Sequence, residues 1–361
     1  MESAYIHIPF CDTICSYCDF CKFIRNDEWI NKYLNALEKE INTKYKGEIL
    51  NTIYIGGGTP SCLNLEQLIK LFSIIKVLNR NKEYEFTFEC NIENITKDKL
   101  KLLYDNGVNR LSIGIQTFNE KYLTFLNRNH TKQEIIEKIN LAKEIGFKNI
   151  NIDLIYGLPN QTLEELNEDI EEFLKLNITH ISTYSLIIEP NTKIYINNYN
   201  NIDEDIDFEM YKLICNKLKD NGYNHYEISN FSKVGYESKH NLTYWNNNEY
   251  YGFGLGASGY IDNIRYENTR SFNRYLSGEY VKESHKLDLN EIIENEFILG
   301  LRKINGINKE IFKNKYNKDI KNIEVVNKLL ECNNLLEDEK NIYINPDYIY
   351  VSNDILVEFI D

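Results

Sequence analysis

The first half of the chain alternates between short apolar runs and longer stretches with the apolar spacing of amphipathic helices. This alternation is typical of repeated strand–helix units, which build a parallel sheet. It predicts six strands, at residues 4–8, 52–55, 85–89, 110–115, 149–155 and 180–187. It also predicts five intervening helices, at residues 28–42, 65–78, 96–105, 132–145 and 163–176.

Six such units favour an α/β fold built on a partial (βα)6 TIM-like barrel, with too few strands to close as an eight-stranded barrel does. An open, doubly wound sheet is the alternative. Both architectures bind ligands at the carboxyl ends of their strands. The functional site is therefore expected at that edge in either case.

The residues at the ends of the predicted strands support this expectation. The first strand leads into a cysteine-rich loop and the second into Gly56-Gly57-Gly58-Thr59-Pro60. Glu89 ends the third strand, Gln116 follows the fourth, and Asp153 lies within the apolar fifth. A single polar residue at a strand end is usually a solvated one, but five in succession on one rim indicate a ligand site.

After about residue 190 the pattern changes to Asn-rich loops, a helix at 205–221 and an aromatic, glycine-rich stretch that reaches residue 266. From about residue 290 the pattern predicts helices at 291–302, 309–315 and 323–332 and a strand region at 341–351. We therefore predict a barrel at 1–200, an extension at 201–285 and a winged-helix-like module at 286–361. The last two form a C-terminal α+β extension.

The charge and hydropathy of the chain exclude several classes of function. The 361 residues carry a net charge of -14 and show no Lys/Arg cluster, which argues against a nucleic-acid partner. No apolar run approaches the ~20 residues of a membrane span, and no basic segment precedes an apolar stretch at the start. We expect a cytoplasmic protein with at most peripheral membrane contact, a compartment that also keeps thiols reduced.

Three cysteines with the spacing Cys11-x3-Cys15-x2-Cys18 follow the first strand. They supply one thiolate fewer than the four that usually hold a cubane iron–sulfur cluster. One iron would remain open to a small chelating ligand. The spacing therefore indicates a cluster that takes part in chemistry.

Cys21 leaves two other interpretations open. It could extend a ferredoxin-type run, but that run needs a cysteine at position 25, where Arg25 stands. A structural zinc site usually has a second ligand pair further along, whereas Cys62, Cys90, Cys215 and Cys332 are isolated. We favour the three-thiolate cluster and expect Cys21 to be a spare thiol beside it.

The triple glycine at 56–58 is the second chemical signal. Glycines after a strand let the backbone approach a ligand closely, and free N–H groups there would suit a carboxylate. A tight turn would account for one or two glycines but hardly for three followed by Thr-Pro. We therefore expect a ligand here, with Glu89, Asp153, Gln116 and Arg128 contacting its other polar groups.

Several motifs together resemble the radical S-adenosylmethionine (SAM) superfamily. They are Tyr5-Ile-His-Ile-Pro-Phe-Cys11 with the cysteines that follow, Gly56-Gly-Gly-Thr-Pro-Ser61, and Asn109-Arg-Leu-Ser-Ile-Gly-Ile-Gln116. Within it, the chain is similar to the oxygen-independent coproporphyrinogen III oxidase-like proteins, and most of all to the heme chaperones of the HemW family. The similarity continues through Asp153-Leu-Ile-Tyr-Gly-Leu-Pro159, Tyr226-Glu-Ile-Ser-Asn230 and His240-Asn-Leu-Thr-Tyr-Trp245.

The resemblance implies a role for individual residues. Cys11, Cys15 and Cys18 would hold a [4Fe–4S] cluster whose fourth iron is chelated by SAM. The residues that match SAM contacts are Tyr5, Gly57, Gly58, Thr59 and Glu89. Those that match contacts of a second SAM in the oxidase are Gln116, Arg128 and Asp153. The oxidase has a fourth cysteine two residues after the third, where this chain has Phe20, which argues against coproporphyrinogen oxidase activity.

The motif His240-Asn241-Leu-Thr-Tyr244-Trp245 matches HNxxYW, which the HemW family uses in heme binding. Neutral imidazole is a common heme ligand, and the two aromatic rings could cover a flat macrocycle. The alternative is a histidine satisfied within a loop or core.

The resemblance therefore implies a chaperone that binds heme and a SAM-liganded cluster and delivers heme to apoproteins. Its expected partners are these apoproteins and a one-electron donor such as flavodoxin or ferredoxin. A second copy of the chain, in a homodimer, is a further candidate partner. The alternatives are a radical SAM enzyme that decarboxylates or methylates a tetrapyrrole, and a simple electron-transfer protein. The run 254–259 matches GxGxxG, but it follows Asn-rich sequence and does not lead into a helix pattern, so we expect a turn near the heme or SAM site.

Overall fold

The computed structural model describes residues 3–360. Its main feature is a 12-stranded sheet, accompanied by two smaller sheets. The strands of residues 3–360 are β1 (Ser3–Ile8), β2 (Phe10–Cys11), β3 (Phe23–Ile24), β4 (Leu50–Gly57), β5 (Arg80–Asn91), β6 (Arg110–Gln116), β7 (Asn149–Tyr156), β8 (His180–Ser185), β9 (Asn224–Glu227), β10 (Asn230–Ser232), β11 (Tyr250–Phe253), β12 (Ser258–Ile261), β13 (Ile264–Asn268), β14 (Val281–Lys286), β15 (Ile307–Asn308), β16 (Leu335–Glu337) and β17 (Asn341–Ile344).

The helices pack mainly on the outside of this sheet. Over residues 3–360 they are α1 (Asp27–Lys44), α2 (Leu65–Ile75), α3 (Lys97–Asp105), α4 (Glu120–Phe125), α5 (Lys132–Ile145), α6 (Leu163–Lys175), α7 (Lys193–Ile196), α8 (Glu204–Asp220), α9 (Lys239–Trp245), α10 (Phe272–Leu276), α11 (Leu289–Gly300), α12 (Lys309–Tyr316), α13 (Glu324–Glu331) and α14 (Ser352–Leu356).

The central six strands confirm the predicted partial barrel. They lie side by side in the order β1-β4-β5-β6-β7-β8, and each neighbouring pair is parallel. The spatial order follows the chain order without a reversal, whereas a doubly wound sheet reverses at a switch point. The open-sheet alternative is therefore wrong.

Alternation along β6 explains how one strand serves both the core and the barrel interior. Leu111, Ile113 and Ile115 are fully buried in the main hydrophobic core. The intervening residues, Arg110, Ser112, Gly114 and Gln116, line the cavity inside the barrel. Successive side chains of a strand point to opposite faces, so a polar inner face and an apolar outer face result from period-two patterning.

Local signals fix the starts of several barrel helices. The side chains of Asn64, Thr131 and Thr162 each accept a hydrogen bond from the backbone N–H three residues later. The side chain of that later residue, Gln67, Glu134 or Glu165, accepts a hydrogen bond from the backbone N–H of the capping residue. Such capping boxes satisfy backbone donors that the helix itself cannot satisfy. Helices α2, α5 and α6 therefore begin at residues that their own sequence specifies.

The region predicted as an extension at 201–285 continues the barrel sheet at both of its edges. Strand β10 pairs antiparallel with β8, and β9 pairs with β10. At the other edge β11 pairs parallel with β1, and β12, β13 and β14 follow antiparallel. The aromatic, glycine-rich stretch thus forms strands that the sequence pattern did not predict. The domain boundaries themselves stay a prediction.

The C-terminal residues have a hydrophobic core of their own. It is formed by residues between Ile293 and Phe359, including Phe297, Phe312 and Leu335. Three helices, α11, α12 and α13, surround a small antiparallel sheet in the order β15-β17-β16. The three helices confirm the predicted ones, but the predicted strand region at 341–351 is a strand only over Asn341–Ile344, and β15, β16 and α14 were not predicted. The winged-helix-like description stays a prediction. No helix within residues 3–360 combines the length and apolarity that a bilayer crossing requires.

Candidate functional site

A cavity of about 470 Å³ opens inside the barrel beside the loop that carries the cysteines. It brings together ten of the twelve residues that the sequence singled out: Cys11, Cys15, Cys18, Gly57, Gly58, Thr59, Glu89, Gln116, Arg128 and Asp153. Tyr5 and His240 do not line it. The expectation that the strand ends converge on one site is therefore met for the carboxyl rim of the barrel.

The cysteine loop is held against the glycine loop by short contacts. Cys11 lies in β2, and the Thr59 hydroxyl donates to its Sγ at 3.5 Å. The backbone N–H of Thr59 donates to the carbonyl of Phe10 at 2.8 Å. Burial raises the pKa of the Cys11 thiol to about 12. This thiol would become a thiolate ligand only with a metal cation at hand to stabilise the charge.

The three predicted cluster ligands are electrostatic neighbours of one another, and Cys21 is not one of them. The pKa of Cys11 responds to the charges of Cys18 and Cys15. Burial raises the pKa of Cys21, whose charged neighbours are instead Arg270, Lys22 and Glu267. No three His, Cys, Asp or Glu side chains of residues 3–360 lie close enough together to hold a single metal ion. Cys21 therefore differs from the other three cysteines in its charged neighbours, and the three-thiolate interpretation stays a prediction.

The glycine loop serves close packing, a role that differs from the expected one. The Gly57 N–H donates to Glu89 Oε2 at 3.0 Å, and the Gly58 N–H donates to the Ile8 carbonyl at 2.9 Å. Gly57 has a φ of +112°, and a Cβ there would lie 2.4 Å from the ring of His7. The expectation of free N–H groups for a ligand carboxylate is therefore wrong for these two residues, because the protein already uses those donors.

Two carboxylates face the cavity. Glu89 accepts a hydrogen bond from the Tyr54 hydroxyl at 2.7 Å, and burial raises its pKa to about 7. Asp153 accepts from the Asn151 amide at 2.8 Å, and burial raises its pKa to about 6. Carboxyl groups desolvated in this way are well placed to accept from the hydroxyl or ammonium groups of a ligand.

Gln116 has a strained backbone. Its φ is 75°, and the other non-glycine residues of 3–360 with positive φ are all Asn or Asp. A glutamine in this region costs about 1–3 kcal/mol, which the surrounding structure must sustain. Strain of this kind at the end of β6 supports a functional role for the side chain, which is 7% exposed.

Arg128 connects the cysteine loop to β6. Its Nη1 atom lies 3.6 Å from Cys15 Sγ, and Nη2 donates to the Gly114 carbonyl at 2.5 Å. Glu93 lies 3.9 Å from the same guanidinium. Both Nη atoms of Arg128 therefore have contacts within the protein, whereas its Nε is buried without a hydrogen-bond partner.

Tyr5 is oriented by His7, a residue that the sequence analysis did not select. The Tyr5 hydroxyl lies 2.9 Å from His7 Nδ1, and His7 Nε2 lies 2.8 Å from the Cys21 carbonyl. Burial lowers the pKa of His7 to about 4, so the ring is neutral. The signal that could have found it is the spacing Tyr-x-His, which places both side chains on the same face of β1.

His240 lies in α9, which closes the amino end of the barrel. The ring is 1% exposed, with Nδ1 2.6 Å from the Thr52 hydroxyl and Nε2 2.7 Å from the Tyr244 hydroxyl. Burial lowers its pKa to about 3. Both nitrogens are therefore occupied, and in this conformation the ring cannot bind iron. Only Asn241 of the motif lines the cavity.

The start of α9 is held by one carboxylate. The backbone N–H groups of Lys239 and His240 donate to Glu85 at 3.0 and 3.1 Å. The His240 ring lies against Tyr54 with centroids 5.0 Å apart. Because Tyr54 also donates to Glu89, contacts extend from the predicted heme motif to the predicted SAM contact.

The glycine-rich run at 254–259 needs a correction. It follows strand β11, not a loop, because the Asn-rich sequence before it forms only the turn into that strand. It leads into β12 rather than a helix, so the context of a dinucleotide site is still missing. A Cβ at Gly256 would lie 2.8 Å from Cys21 Cβ, which puts this turn beside the cysteine loop as expected.

Comparison with known proteins identifies the relatives of the chain. A family model described as the radical SAM superfamily matches residues 5–173. The heme chaperone HemW of Bacillus subtilis is 44% identical over 324 residues, which cover 86% of each chain. HemW of Lactococcus lactis is 44% identical over 315 residues, covering 85% of this chain and 83% of that one. HemW of Escherichia coli is 34% identical over 297 residues, covering 79% and 78%.

A solved structure has the same fold. Coproporphyrinogen III oxidase (HemN) from Escherichia coli, described as a radical SAM enzyme, aligns with a TM-score of 0.87 over 99% of this chain and 90% of that one. The sequence identity is 23%. At this identity the likeness establishes the architecture alone.

Proposed function

Since the chain belongs to the HemW family and carries its radical SAM domain, we propose that it is a heme chaperone that binds heme and a SAM-liganded [4Fe–4S] cluster and delivers heme to apoproteins. The observation that carries the proposal is 44% identity to HemW of Bacillus subtilis over 86% of both chains. The convergence of ten predicted residues on one cavity supports it.

The donor set at the cysteine loop fits the cluster. Cys11, Cys15 and Cys18 are free thiols that line the same cavity, so each is available to a separate iron. When bound, such a cluster supplies an iron open to chelation and a one-electron redox centre. Thr59 and Arg128 would contact the ligand sulfurs, where a donor or a cation stabilises thiolate charge.

SAM fits the part of the cavity next to the cluster site. Glu89 offers a carboxylate there, and Gly57 and Gly58 keep the wall free of side chains. Tyr5 matches a SAM contact by resemblance and does not line the cavity, and His7 fixes its hydroxyl in position. Gln116, Arg128 and Asp153 would meet a second polar ligand group across the cavity.

Heme ligation by His240 requires a change in α9. The imidazole must leave Thr52 or Tyr244 before one of its nitrogens can reach iron, because both ring nitrogens are hydrogen bonded to these residues. Release of heme to an apoprotein would be favoured when the ring returns to these partners.

The second candidate is an enzyme that acts on a tetrapyrrole. A roomy cavity with a strained Gln116 and two desolvated carboxylates is the observation that favours it. Phe20 argues against the oxidase branch, because the resemblance requires a cysteine at that position for the enzyme. A one-electron donor and a homodimer belong to either proposal.

One experiment separates the two functions. The anaerobically reconstituted protein is incubated with SAM and reductant, and with either heme or coproporphyrinogen III. We expect stoichiometric heme binding, transfer of heme to an apoprotein, and no protoporphyrinogen. Conversion of coproporphyrinogen III would overturn the chaperone proposal in favour of the enzyme, and failure to bind heme would remove it altogether.

A further inference from the structure

Arg110 lies at the amino end of the barrel interior, and its guanidinium has no ion-pair partner among residues 3–360. It begins β6, lines the cavity and is 2% exposed. Its Nε atom is buried without a hydrogen-bond partner. No carboxylate of residues 3–360 lies within 4.0 Å of its guanidinium nitrogens in an ion pair. A buried guanidinium in this condition is costly unless a ligand compensates its charge.

The neighbouring carboxylates do not remove this charge. Arg110 lowers the pKa of both Glu89 and Asp153, yet burial dominates and keeps each pKa above its ordinary value. Glu89 is engaged with Tyr54 and Gly57, and Asp153 with Asn151. The guanidinium is near enough to influence them and too far to pair with them.

The wall around Arg110 leaves space for a polar ligand group. Ser112 on β6 itself, Asn151 on β7 and Ser182 on β8 line the cavity, and all three are buried. Arg128 lines the same cavity but is tied to Gly114, Cys15 and Glu93. Arg128 Nε is also buried without a partner, but both Nη atoms of Arg128 have contacts, whereas the Arg110 guanidinium makes no hydrogen bond or ion pair with residues 3–360, so Arg110 has the larger capacity left for an anion.

We infer that Arg110 binds a carboxylate group of a ligand that reaches the amino end of the barrel cavity. The planar guanidinium matches a carboxylate with two parallel hydrogen bonds. The inference rests on the proposed function, which offers two sources of this group: the propionates of heme and the amino-acid carboxylate of SAM.

The position of Arg110 along the barrel favours a heme propionate over the carboxylate of SAM as its partner. Six residues of β6 separate Arg110 from Gln116, a rise of about 20 Å. The SAM molecule whose carboxylate is chelated at the cysteine loop cannot also present that carboxylate to Arg110, so only a second SAM beside Gln116, Arg128 and Asp153 would compete with heme for this role. A heme that enters the barrel has carboxylates on one edge, and these can point to the amino end.

The test begins with the unmodified protein. Reconstituted protein is titrated with heme and heme dimethyl ester, and separately with SAM and decarboxylated SAM. We expect heme to bind about tenfold more tightly than its ester, as one well-placed ion pair would give. Equal affinities for heme and its dimethyl ester would overturn the propionate assignment without any variant. Decarboxylated SAM also loses the chelation at the cysteine loop, so the SAM pair tests Arg110 only when the Arg110 variants are compared with the wild type.

Variants then assign the effect to Arg110. In Arg110→Met we expect heme affinity to fall about tenfold to that of the ester, with ester affinity unchanged. The heme affinity of Arg110→Lys should lie between those of the wild type and Arg110→Met, because the point charge of lysine lacks the bidentate geometry of a guanidinium. Arg80→Met is the matched control, since Arg80 also starts a strand but is exposed and outside the cavity. If the Met variant does not fold, the Lys variant decides.

The outcomes are distinguishable. Loss of SAM affinity in Arg110→Met at an unchanged heme-to-ester ratio would support the carboxylate site with SAM as the source. A wild type that binds no heme would end the proposed function, and SAM affinity in Arg110→Met compared with the wild type would then judge Arg110. A Met variant that retains wild-type discrimination for every ligand would overturn the inference.

Discussion

His7 Nε2 lies 2.8 Å from the carbonyl oxygen of Cys21. A carbonyl can only accept, so this nitrogen carries the proton of the neutral ring and Nδ1 is the acceptor. The Tyr5 hydroxyl therefore donates to Nδ1 at 2.9 Å. As a result Tyr5 presents only acceptor lone pairs to a ligand, and the last cysteine of the loop is fixed to β1.

Replacing His7 should loosen this corner of the site. In His7→Phe the Tyr5 hydroxyl and the Cys21 carbonyl lose their partners, so we expect the free energy of unfolding to fall by about 1–3 kcal/mol. Anaerobic urea denaturation measures it. His285→Phe is the control, because His285 is exposed and pairs only with Glu291. Equal effects of the two substitutions would contradict the positioning role.

Alanine substitutions of the four cysteines in the loop should differ in their effect on the iron content of the protein. Alanine at Cys11, Cys15 or Cys18 should abolish the reconstituted cluster, whereas Cys21→Ala should keep iron near the wild-type value, because Cys21 has different neighbours. Iron and sulfide analysis with absorption spectra provides the measurement. Cluster loss in Cys21→Ala with retention in Cys11→Ala would overturn the assignment.

Gly57 and Gly47 form a matched pair for the glycine loop. Both have positive φ, but a Cβ at Gly47 meets nothing within 4 Å, whereas one at Gly57 meets the His7 ring. Gly47→Ala should cost about 1–2 kcal/mol of backbone strain. Gly57→Ala should cost clearly more in urea denaturation and should also weaken SAM binding. Identical costs would mean that close packing against His7 is unimportant.

Stability should depend on pH through Glu89 with a definite sign. Burial raises its folded-state pKa to about 7, above its value in the unfolded chain. The folded state therefore binds the extra proton, and this contribution is lost as pH rises through about 7. Between pH 5.5 and 8 we expect Glu89→Gln to gain stability relative to the wild type. A difference that does not change with pH would contradict this assignment.

Substitutions at Thr52 and His240 test whether the His240 ring must leave its hydrogen-bond partners to bind heme. Thr52→Val removes the partner of Nδ1 and should leave heme affinity unchanged or raise it, because the ring is released more easily. His240→Ala should weaken heme binding or shift its Soret band while the cluster spectrum persists. If His240→Ala has wild-type heme affinity and spectrum, His240 is not the ligand.

The barrel could be predicted from sequence because its signals are local. Helix α5 was predicted at 132–145 and is observed at Lys132–Ile145, and β6 was predicted at 110–115 and extends one residue further. Apolar periodicity and capping residues fix such elements without help from distant parts of the chain. The rim residues could be grouped for the same reason, since parallel strands end at one edge.

Other elements depend on contacts that the local sequence does not contain. Helix α9 has seven residues and is anchored by Glu85, 155 positions before His240. Strand β11 forms by pairing with β1 across most of the chain. Arg110 escaped selection because a charged residue at the start of a strand normally faces solvent, and only the barrel turns this one inward.

Strand β5 carries Glu85 and Glu89 on one face, four residues or about 13 Å apart. The first carboxylate holds the start of α9, and the second holds Gly57. Any axial slip of β5 would displace both ends of the barrel together. A graft of His240-Asn-Leu-Thr-Tyr-Trp245 into another radical SAM barrel would therefore need a glutamate at the position of Glu85. Without that recipient residue, the backbone donors at the start of the transplanted helix would lose their acceptor.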